Sequence, residues 1–113
     1  MIKIEATIRP QKLDDVKAAL TSIGVKGMTI SEVQGFGREK GFTQRYRGTE
    51  YSVNLLKKVR VEVVVIAREA RVVANAIAVA ACTGEVGDGK IWFIPIEGAI
   101  RIRTGEDDVE AIS

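Results

Sequence analysis

The sequence contains no histidine, one cysteine and two prolines, and aromatic residues make up only 5% of its 113 positions. Without histidine, the most common metal ligand and the most common general base are missing, which argues against metal-centred or hydrolytic catalysis. Because Cys82 is the only cysteine, an internal disulfide is excluded, and we expect a cytoplasmic protein. Its neighbours Ala80 and Ala81 predict buried surroundings. The scarcity of aromatics also leaves no stacking platform for a nucleic acid.

Length and composition predict one folded domain over residues 1–113. Hydrophobic residues make up 46% and charged residues 28% of the chain, which is typical of a soluble globular protein. The net charge of +2 is too small to indicate a nucleic-acid partner. The start, MIKIEATIR, alternates apolar and charged residues and predicts a strand rather than a signal peptide. No apolar run is long enough to span a bilayer.

Hydrophobic periodicity predicts the order β-α-β-β-α-β plus one short strand. Strands are expected in MIKIEATIR, KGMTISEVQGFG, KKVRVEVVVIA, KIWFIPI and AIRIR, and helices over Leu13–Ile23, ended by Gly24, and over residues 68–82. This order is typical of the ferredoxin-like α+β sandwich, with helices on one face of an antiparallel sheet. The third strand carries valines on one side (Val59, Val61, Val63 and Val65) and Val64 and Ile66 on the other. Its second face is therefore expected to be buried by oligomerisation.

A long polar segment, GFGREKGFTQRYRGTEY (residues 35–51), separates the second and third strands. A hairpin needs only a few residues to turn, so this length is not required by the fold. Its glycines and its lack of sustained apolar periodicity predict a segment that contributes little to stability. The loop is therefore expected to act on something outside the domain.

Two further motifs favour an anion site. The segment TGEVGDGKI (residues 83–91) has glycines that let backbone N–H groups converge, followed by Lys90. It is not a P-loop, and a solvated glycine-rich turn is an equal alternative. Arg101 and Arg103 lie two apart on a predicted strand and would point to one face. This favours a polyphosphate clamp, with an exposed basic strand face as the alternative.

In this order and spacing, GFGREKG, YRGTEY, TGEVGDGKI and RIRTGE resemble the PII nitrogen-regulatory signal-transduction family. KLDDVKAAL and GMTISEVQGFGR extend the likeness over nearly the whole chain. The resemblance implies a homotrimer that binds ATP or ADP in clefts between subunits, in many members with Mg²⁺ and 2-oxoglutarate, and that is not an enzyme. The long segment corresponds to the family's flexible T-loop, about residues 37–55. The T-loop docks onto ammonium transporters or onto enzymes and regulators of nitrogen assimilation, so a membrane is reached only through such a transporter.

The resemblance also implies roles for individual residues. Those matching the ATP or ADP site are Gly27, Met28, Thr29, Gly37, Arg38, Glu62, Val64, Gly87, Asp88, Gly89, Lys90, Arg101 and Arg103, the two arginines coming from the neighbouring subunit. Those matching the 2-oxoglutarate site are Glu39, Lys40, Gly41, Lys58 and Gly87. Glu39 would also ligate Mg²⁺ together with the ATP phosphates. Tyr51 and Thr49 match positions that some members modify, although Tyr51 would serve equally as an interface anchor.

The chain departs from the family pattern at two positions. Glu39 stands where the family usually has the glutamine that contacts magnesium and the oxoacid, and Lys57 stands where proline is frequent. The extra negative charge of Glu39 predicts weaker 2-oxoglutarate binding. Two alternatives therefore stand beside a full PII function: a PII-like sensor that does not respond to 2-oxoglutarate, and a small nucleotide-hydrolysing enzyme. The absence of histidine and of a paired-carboxylate motif argues against the enzyme.

Overall fold

The computed structural model describes residues 1–36, 43–46, 49–52 and 55–113, with 43–46 and 49–52 described as backbone. The strands are β1 (Ile2–Ile8), β2 (Thr29–Gly35), β3 (Thr43–Tyr46), β4 (Thr49–Ser52), β5 (Leu56–Val65) and β6 (Lys90–Pro95). The helices are α1 (Leu13–Ser22), α2 (Ala70–Ala81) and α3 (Asp108–Ile112). Within these ranges, no helix has the length and apolar character needed to cross a membrane.

The main sheet has the strand order β2-β5-β1-β6, and all its neighbouring strands are antiparallel. In the central strand, Ile4 pairs with Val63 on one side and with Phe93 on the other. Helices α1 and α2 contact each other, and α2 contacts β1. This confirms the predicted ferredoxin-like α+β fold.

The core lies between the sheet and its two helices. Alternate residues of β1 and β5 point to it, and the valines predicted on one side of β5 are all buried. Val16 and Leu20 of α1 and Ile77 of α2 are completely buried against them. Burying a side chain of this size contributes about 1.5–3 kcal/mol, so the period-two and helical patterns together account for the layer arrangement.

Helix α1 begins at the predicted Leu13 and ends at Ser22, one residue before the predicted Ile23. Pro10 starts a single 3-10 turn that leads into the helix, because its missing N–H is not needed there. At the other end, the Gly24 N–H donates to the Thr21 carbonyl (3.1 Å) and the Val25 N–H to the Leu20 carbonyl (3.0 Å). These two bonds form a Schellman cap, which satisfies the last carbonyls of the helix.

Helix α2 is apolar on more than one side, as predicted. Val73 and Ile77 face the core, whereas Val72 and Val79 are 60% and 81% exposed. The prediction of buried surroundings for Cys82 holds only in part, because Ala81 is buried but Cys82 itself is exposed. The reason is that the helix ends at Ala81 and the extended backbone of Cys82 turns away from the core.

The predicted short strand AIRIR is wrong. Only Ile100 forms an isolated bridge, and its partner is Asp107 rather than a strand of the main sheet. The Gly105 N–H donates to the Arg101 carbonyl (2.7 Å), and Gly105 has a φ of 74°, a left-handed conformation that glycine adopts without strain. The chain therefore reverses onto itself and continues into α3, which the sequence analysis did not predict.

The long segment between β2 and β5 contains β3 and β4, which the sequence analysis did not predict either. These strands pair with each other in a separate two-stranded antiparallel sheet, with Thr43 opposite Ser52 and Tyr46 opposite Thr49. The predicted flexibility of the T-loop (residues 37–55) rests in part on residues outside the described ones, and it stays a prediction.

Candidate functional site

The segment from Thr83 to Lys90, here called the phosphate loop, joins α2 to β6 and runs close against β1. Gly89 has a φ of 98°, and a Cβ atom at this position would lie 1.7 Å from the Thr7 carbonyl oxygen. No side chain fits in that space, so the close approach requires glycine at position 89. The loop backbone is therefore fixed against the central strand of the sheet.

Asp88 holds the phosphate loop together from within. Its carboxylate accepts hydrogen bonds from the Thr83 hydroxyl, from the Thr83 N–H (2.7 Å) and from the Gly84 N–H (2.9 Å). The Arg9 Nε donates a further hydrogen bond, at 3.0 Å. The bonds from the Thr83 side chain and backbone, followed by those from Arg9 and Gly84, hold the pKa of Asp88 well below its ordinary value. Asp88 thus shapes the loop with a carboxylate that is already fully engaged.

Two cations brace the same loop from the sheet. The Arg9 Nη2 donates to the Val86 carbonyl at 2.8 Å, so Arg9 contacts the loop at two points. The Lys58 ammonium donates to the Gly87 carbonyl at 2.7 Å, and Lys58 is only 8% exposed. Lys90 follows at the start of β6 with an exposed side chain. The structure therefore brings Gly87, Lys58 and Lys90 to one end of the molecule, which is called the phosphate end below.

A second group of predicted residues lies at the other end of the sheet. Gly27, Val64 and Arg101 line one cavity of about 800 Å³. It is called the nucleoside cavity below, after the role that the resemblance implies for Gly27 and Val64. Thr29 is directly opposite Glu62 in the pairing of β2 with β5, on the same sheet face as Val64. This group is called the nucleoside end.

Two members of the nucleoside end already have partners. Met28 packs against the core, so its side chain has a structural role. The Glu62 carboxylate lies 3.5 Å from the Lys3 ammonium and 3.2 Å from the Arg60 Nε. These charges occupy the sheet face that the helices leave uncovered, where Glu62 is held among cations.

The two ends are separated along the strands. Thr7 of β1 pairs with Lys90, whereas Lys3 of β1 pairs with Val64, four residues away along the strand. At about 3.3 Å per residue this corresponds to about 13 Å, in addition to the width of the sheet. Within one subunit, the structure therefore does not bring the phosphate end and the nucleoside end together.

The two arginines do not form the clamp that a strand would give. Arg101 is half-buried and donates to Glu106 and to the main-chain oxygens of Glu110 and Ser113, whereas Arg103 is exposed in the turn that follows. The expectation that both point to one strand face is wrong, because no strand forms there. Their role toward a ligand stays a prediction.

Several predicted site residues lie outside the described ones: Gly37, Arg38, Glu39, Lys40 and Gly41. Thr49 and Tyr51 are described only as backbone of β4. In the part of the chain that the structure describes, no group of three or more acidic, cysteine or histidine side chains is arranged to hold a metal ion. The predicted magnesium ligand, Glu39, is not among the side chains to which this finding applies.

Arg9 and Thr83 were missed by the sequence analysis. Thr83 is the first residue of the glycine-rich motif, but no role was predicted for it. Its hydroxyl also accepts from the Glu85 N–H at 3.2 Å, a local turn for which Thr-Gly is a usable signal. Arg9 had no comparable signal, because it is 79 residues from Asp88 in sequence. Only the register of β1 against β6 shows that they meet.

The chain matches the family model described as nitrogen regulatory protein P-II over residues 1–106. The nitrogen regulatory protein P-II of Nostoc punctiforme is 57% identical over 99% of this chain and 100% of its own length. That of Rhizobium meliloti is 54% identical over the same shares. The crystal structure of Arabidopsis thaliana PII bound to citrate superposes with a TM-score of 0.80 at 39% identity, covering 97% of this chain and 90% of that one.

The close approach of Gly89 to β1 can be tested by adding a methyl group. We expect Gly89→Ala to destabilise the protein by more than about 3 kcal/mol, because the loop must move away from the Thr7 carbonyl. Gly84→Ala is the matched control, since Gly84 also has a positive φ (86°) but nothing lies within 4 Å of its Cβ position. Its cost should be limited to about 1–2 kcal/mol of backbone strain. Urea unfolding measures both, and equal losses would contradict the steric argument.

The role of Asp88 predicts a particular pH dependence. A carboxyl group whose pKa is lower in the folded state stabilises the fold above its ordinary value, here 3.8, and loses that contribution as the pH falls below it. Asp88→Asn should therefore have a lower urea midpoint than the unmodified protein at pH 7, and the difference should shrink toward pH 3. Glu97→Gln, which removes an exposed carboxylate from the segment after β6, provides the control. A difference that is independent of pH would show that the charge of Asp88 does not stabilise the loop.

Proposed function

The chain belongs to the nitrogen regulatory protein P-II family, whose members are signal transducers rather than enzymes, and on that basis we propose that it binds ATP and ADP in clefts between subunits. The family acts on targets in nitrogen metabolism. The nucleotide state of each cleft would be transmitted to such a target through the T-loop.

The separation of the two ends carries the proposal. Within one subunit, Lys90 and the nucleoside cavity lie at opposite ends of the sheet, so a compactly bound nucleotide does not contact both. It can do so when the phosphate end of one copy faces the nucleoside end of the next. That contact is head-to-tail, and such contacts form a ring when the rotation between copies closes, so a cyclic trimer with three clefts satisfies it.

The phosphate end supports the choice of a phosphorylated ligand. Its loop is held rigid by Asp88 and by the close approach of Gly89, so little conformational freedom is lost on binding. The exposed ammonium of Lys90 is available to a phosphate group, while Lys58 stays tied to the loop through the Gly87 carbonyl. In the proposed cleft, Arg101 and Arg103 of the next copy would add guanidinium groups to the same phosphates.

Magnesium and 2-oxoglutarate belong to the proposal as further effectors. Lys58 and Gly87, both matched to the oxoacid site, are in direct contact. The Arabidopsis PII bound to citrate supports a site for a small polycarboxylate in this fold. A Glu39 carboxylate is a suitable hard ligand for Mg²⁺, but it would repel the two carboxylates of 2-oxoglutarate. This favours a variant of the proposal in which the ratio of ATP to ADP is the main signal.

The T-loop is the proposed output element. An ammonium transporter or an enzyme or regulator of nitrogen assimilation would bind it, in the cytoplasm, with contact to a membrane only through the transporter. Thr49 and Tyr51 lie in β4, and either could be modified or serve as a contact residue. The T-loop lies between β2 and β5, so its conformation is connected directly to the strands that carry Thr29, Lys58 and Glu62.

Lys90→Ala tests the nucleotide site. Loss of one charge-assisted contact should cost about 1.5–3 kcal/mol, or about ten- to a hundredfold in ATP affinity, measured by calorimetry. Lys17→Ala removes the same charge from an exposed position on α1 and should leave the affinity nearly unchanged. Unchanged ATP affinity in Lys90→Ala, or equal losses in both variants, would contradict the proposed site.

Mixed assemblies test whether each cleft is shared by two copies. Lys90→Ala and Arg103→Ala, each defective alone, can be unfolded, mixed and refolded together. If one copy supplies Lys90 and the next supplies Arg103, some clefts in the mixed trimers contain two intact halves and bind ATP with normal affinity. If both residues act in the same subunit, every cleft stays defective and no high-affinity fraction appears.

Glu39→Gln tests the oxoacid part of the proposal. A like-charge contact at about 4 Å costs on the order of 4 kcal/mol at an effective dielectric constant of about 20, before the metal and solvent reduce it. We therefore expect Glu39→Gln to tighten 2-oxoglutarate binding to the Mg-ATP complex by about tenfold or more, with little change in ATP affinity. Equal, tight 2-oxoglutarate binding to both proteins would show that Glu39 is neutral.

A further inference from the structure

The segment that follows Gly105 is tied to one guanidinium group. The Arg101 Nη1 donates to the Glu106 Oε2 at 3.1 Å, and the Nη2 donates to the main-chain oxygens of Glu110 (3.0 Å) and Ser113 (2.8 Å). Glu106–Ser113, which includes α3, is called the latch below. The guanidinium that was predicted to contact phosphate is therefore already bound to acceptors of its own chain.

Apolar packing of the latch is incomplete, since its apolar residues Ala111 and Ile112 are only half-buried. Helix α3 has five residues, none of them buried, and Val109 is 54% exposed. A helix this short has no stability of its own in water. Its position therefore depends on polar bonds: those of Arg101, the bond from the Asp108 N–H to the Ala99 carbonyl (2.8 Å), and the bond from the Ala99 N–H to the Asp108 carboxylate (3.2 Å).

The latch also forms one wall of the nucleoside cavity. Val109, Ala111 and Ile112 line the same cavity as Gly27 and Val64. Arg101 lines it as well, so the residue that holds the latch faces the space that a nucleoside would enter. Moving the latch would change the width of this cavity and the number of donors that Arg101 presents to it.

From these contacts we propose that the latch is an internal competitor of the nucleotide, with the Glu106 carboxylate and the main-chain oxygens of Glu110 and Ser113 occupying Arg101 until ligand phosphate displaces them. This inference rests on the proposed nucleotide site. A phosphate group and a carboxylate accept from the same guanidinium donors, so Arg101 cannot serve both fully. Occupation of the cleft therefore releases Glu106–Ser113, and the closed latch lowers the apparent affinity for nucleotide.

Removing the Glu106 carboxylate tests the competition. We expect Glu106→Gln to bind ATP about two- to fivefold more tightly than the unmodified protein in calorimetry, the range expected for losing a half-exposed ion pair. Glu110→Gln is the matched control. It removes the same charge from the same segment, but Glu110 contacts Arg101 only through its main-chain oxygen, so its ATP affinity should not change.

A label on the latch gives a second readout. In a Cys82→Ser background, which removes the exposed thiol, a nitroxide attached at Ser113→Cys reports the mobility of the segment by electron paramagnetic resonance. We expect ATP to increase the mobile fraction. Glu106→Gln should increase it without ATP, and Glu110→Gln should not.

The outcomes separate this inference from the proposed function. ATP binding that is equally tight in the unmodified protein and in Glu106→Gln, with no change in label mobility, overturns the latch and leaves the nucleotide site intact. If Glu106→Gln binds ATP and the unmodified protein does not, the result supports a latch that is closed most of the time. If neither protein binds ATP, both the latch and the proposed function are wrong.

Discussion

The position of β1 between β5 and β6 is the constraint on which the rest of the structure depends. Its register places Thr7 opposite both Arg60 and Lys90, and Lys3 opposite both Val64 and Ile94. One set of pairings brings the phosphate loop to one end of the sheet, and the other brings the nucleoside cavity to the opposite end. A shift of β1 by one residue would turn its apolar face away from the core, so the pairing that builds the core also fixes the distance between the two ends.

The two ends differ in how ready they are for a ligand. At the phosphate end, Asp88, Arg9 and Lys58 are bonded to the loop itself, and Lys90 extends from a fixed backbone. At the nucleoside end, Arg101 is bonded to Glu106 and α3, groups that a ligand would have to replace. In the proposed cleft, a rigid half-site would therefore meet an adjustable one, a division that suits a sensor, because only the adjustable half would need to change on binding.

Much of the fold could be predicted from the sequence, because some of its local patterns are compatible with only one type of secondary structure. Three local patterns led to correct predictions. The alternation of apolar and charged residues predicted β1, the run of valines predicted β5, and Gly24 predicted the end of α1. The prediction for the segment after β6 was wrong because Ile100 and Ile102 alternate with arginines as in a strand. The reversal of the chain depends instead on Gly105 and on hydrogen bonds between Arg101 and residues further along the chain. Strands β3 and β4 were not predicted because they pair with each other, outside the main sheet, and their sequences have no sustained apolar periodicity.

The candidate site was predictable to a smaller extent. The glycine-rich phosphate loop is visible in the sequence, but the engagement of Asp88 with Thr83 and Arg9 depends on long-range register. The separation of the two ends likewise follows from strand order, which no short motif encodes.

The contact between Gly89 and β1 also limits how this loop can change in evolution. Any single-nucleotide substitution in a glycine codon that changes the amino acid introduces a residue with a Cβ atom, and here that atom would lie against the Thr7 carbonyl. Every amino-acid change that one nucleotide can produce at this position therefore carries the same steric cost as long as β1 stays where it is. Variation among descendants of this protein should accumulate around Gly89, in Glu85 and Val86 for example, whose exposed side chains leave the backbone path of the loop unchanged.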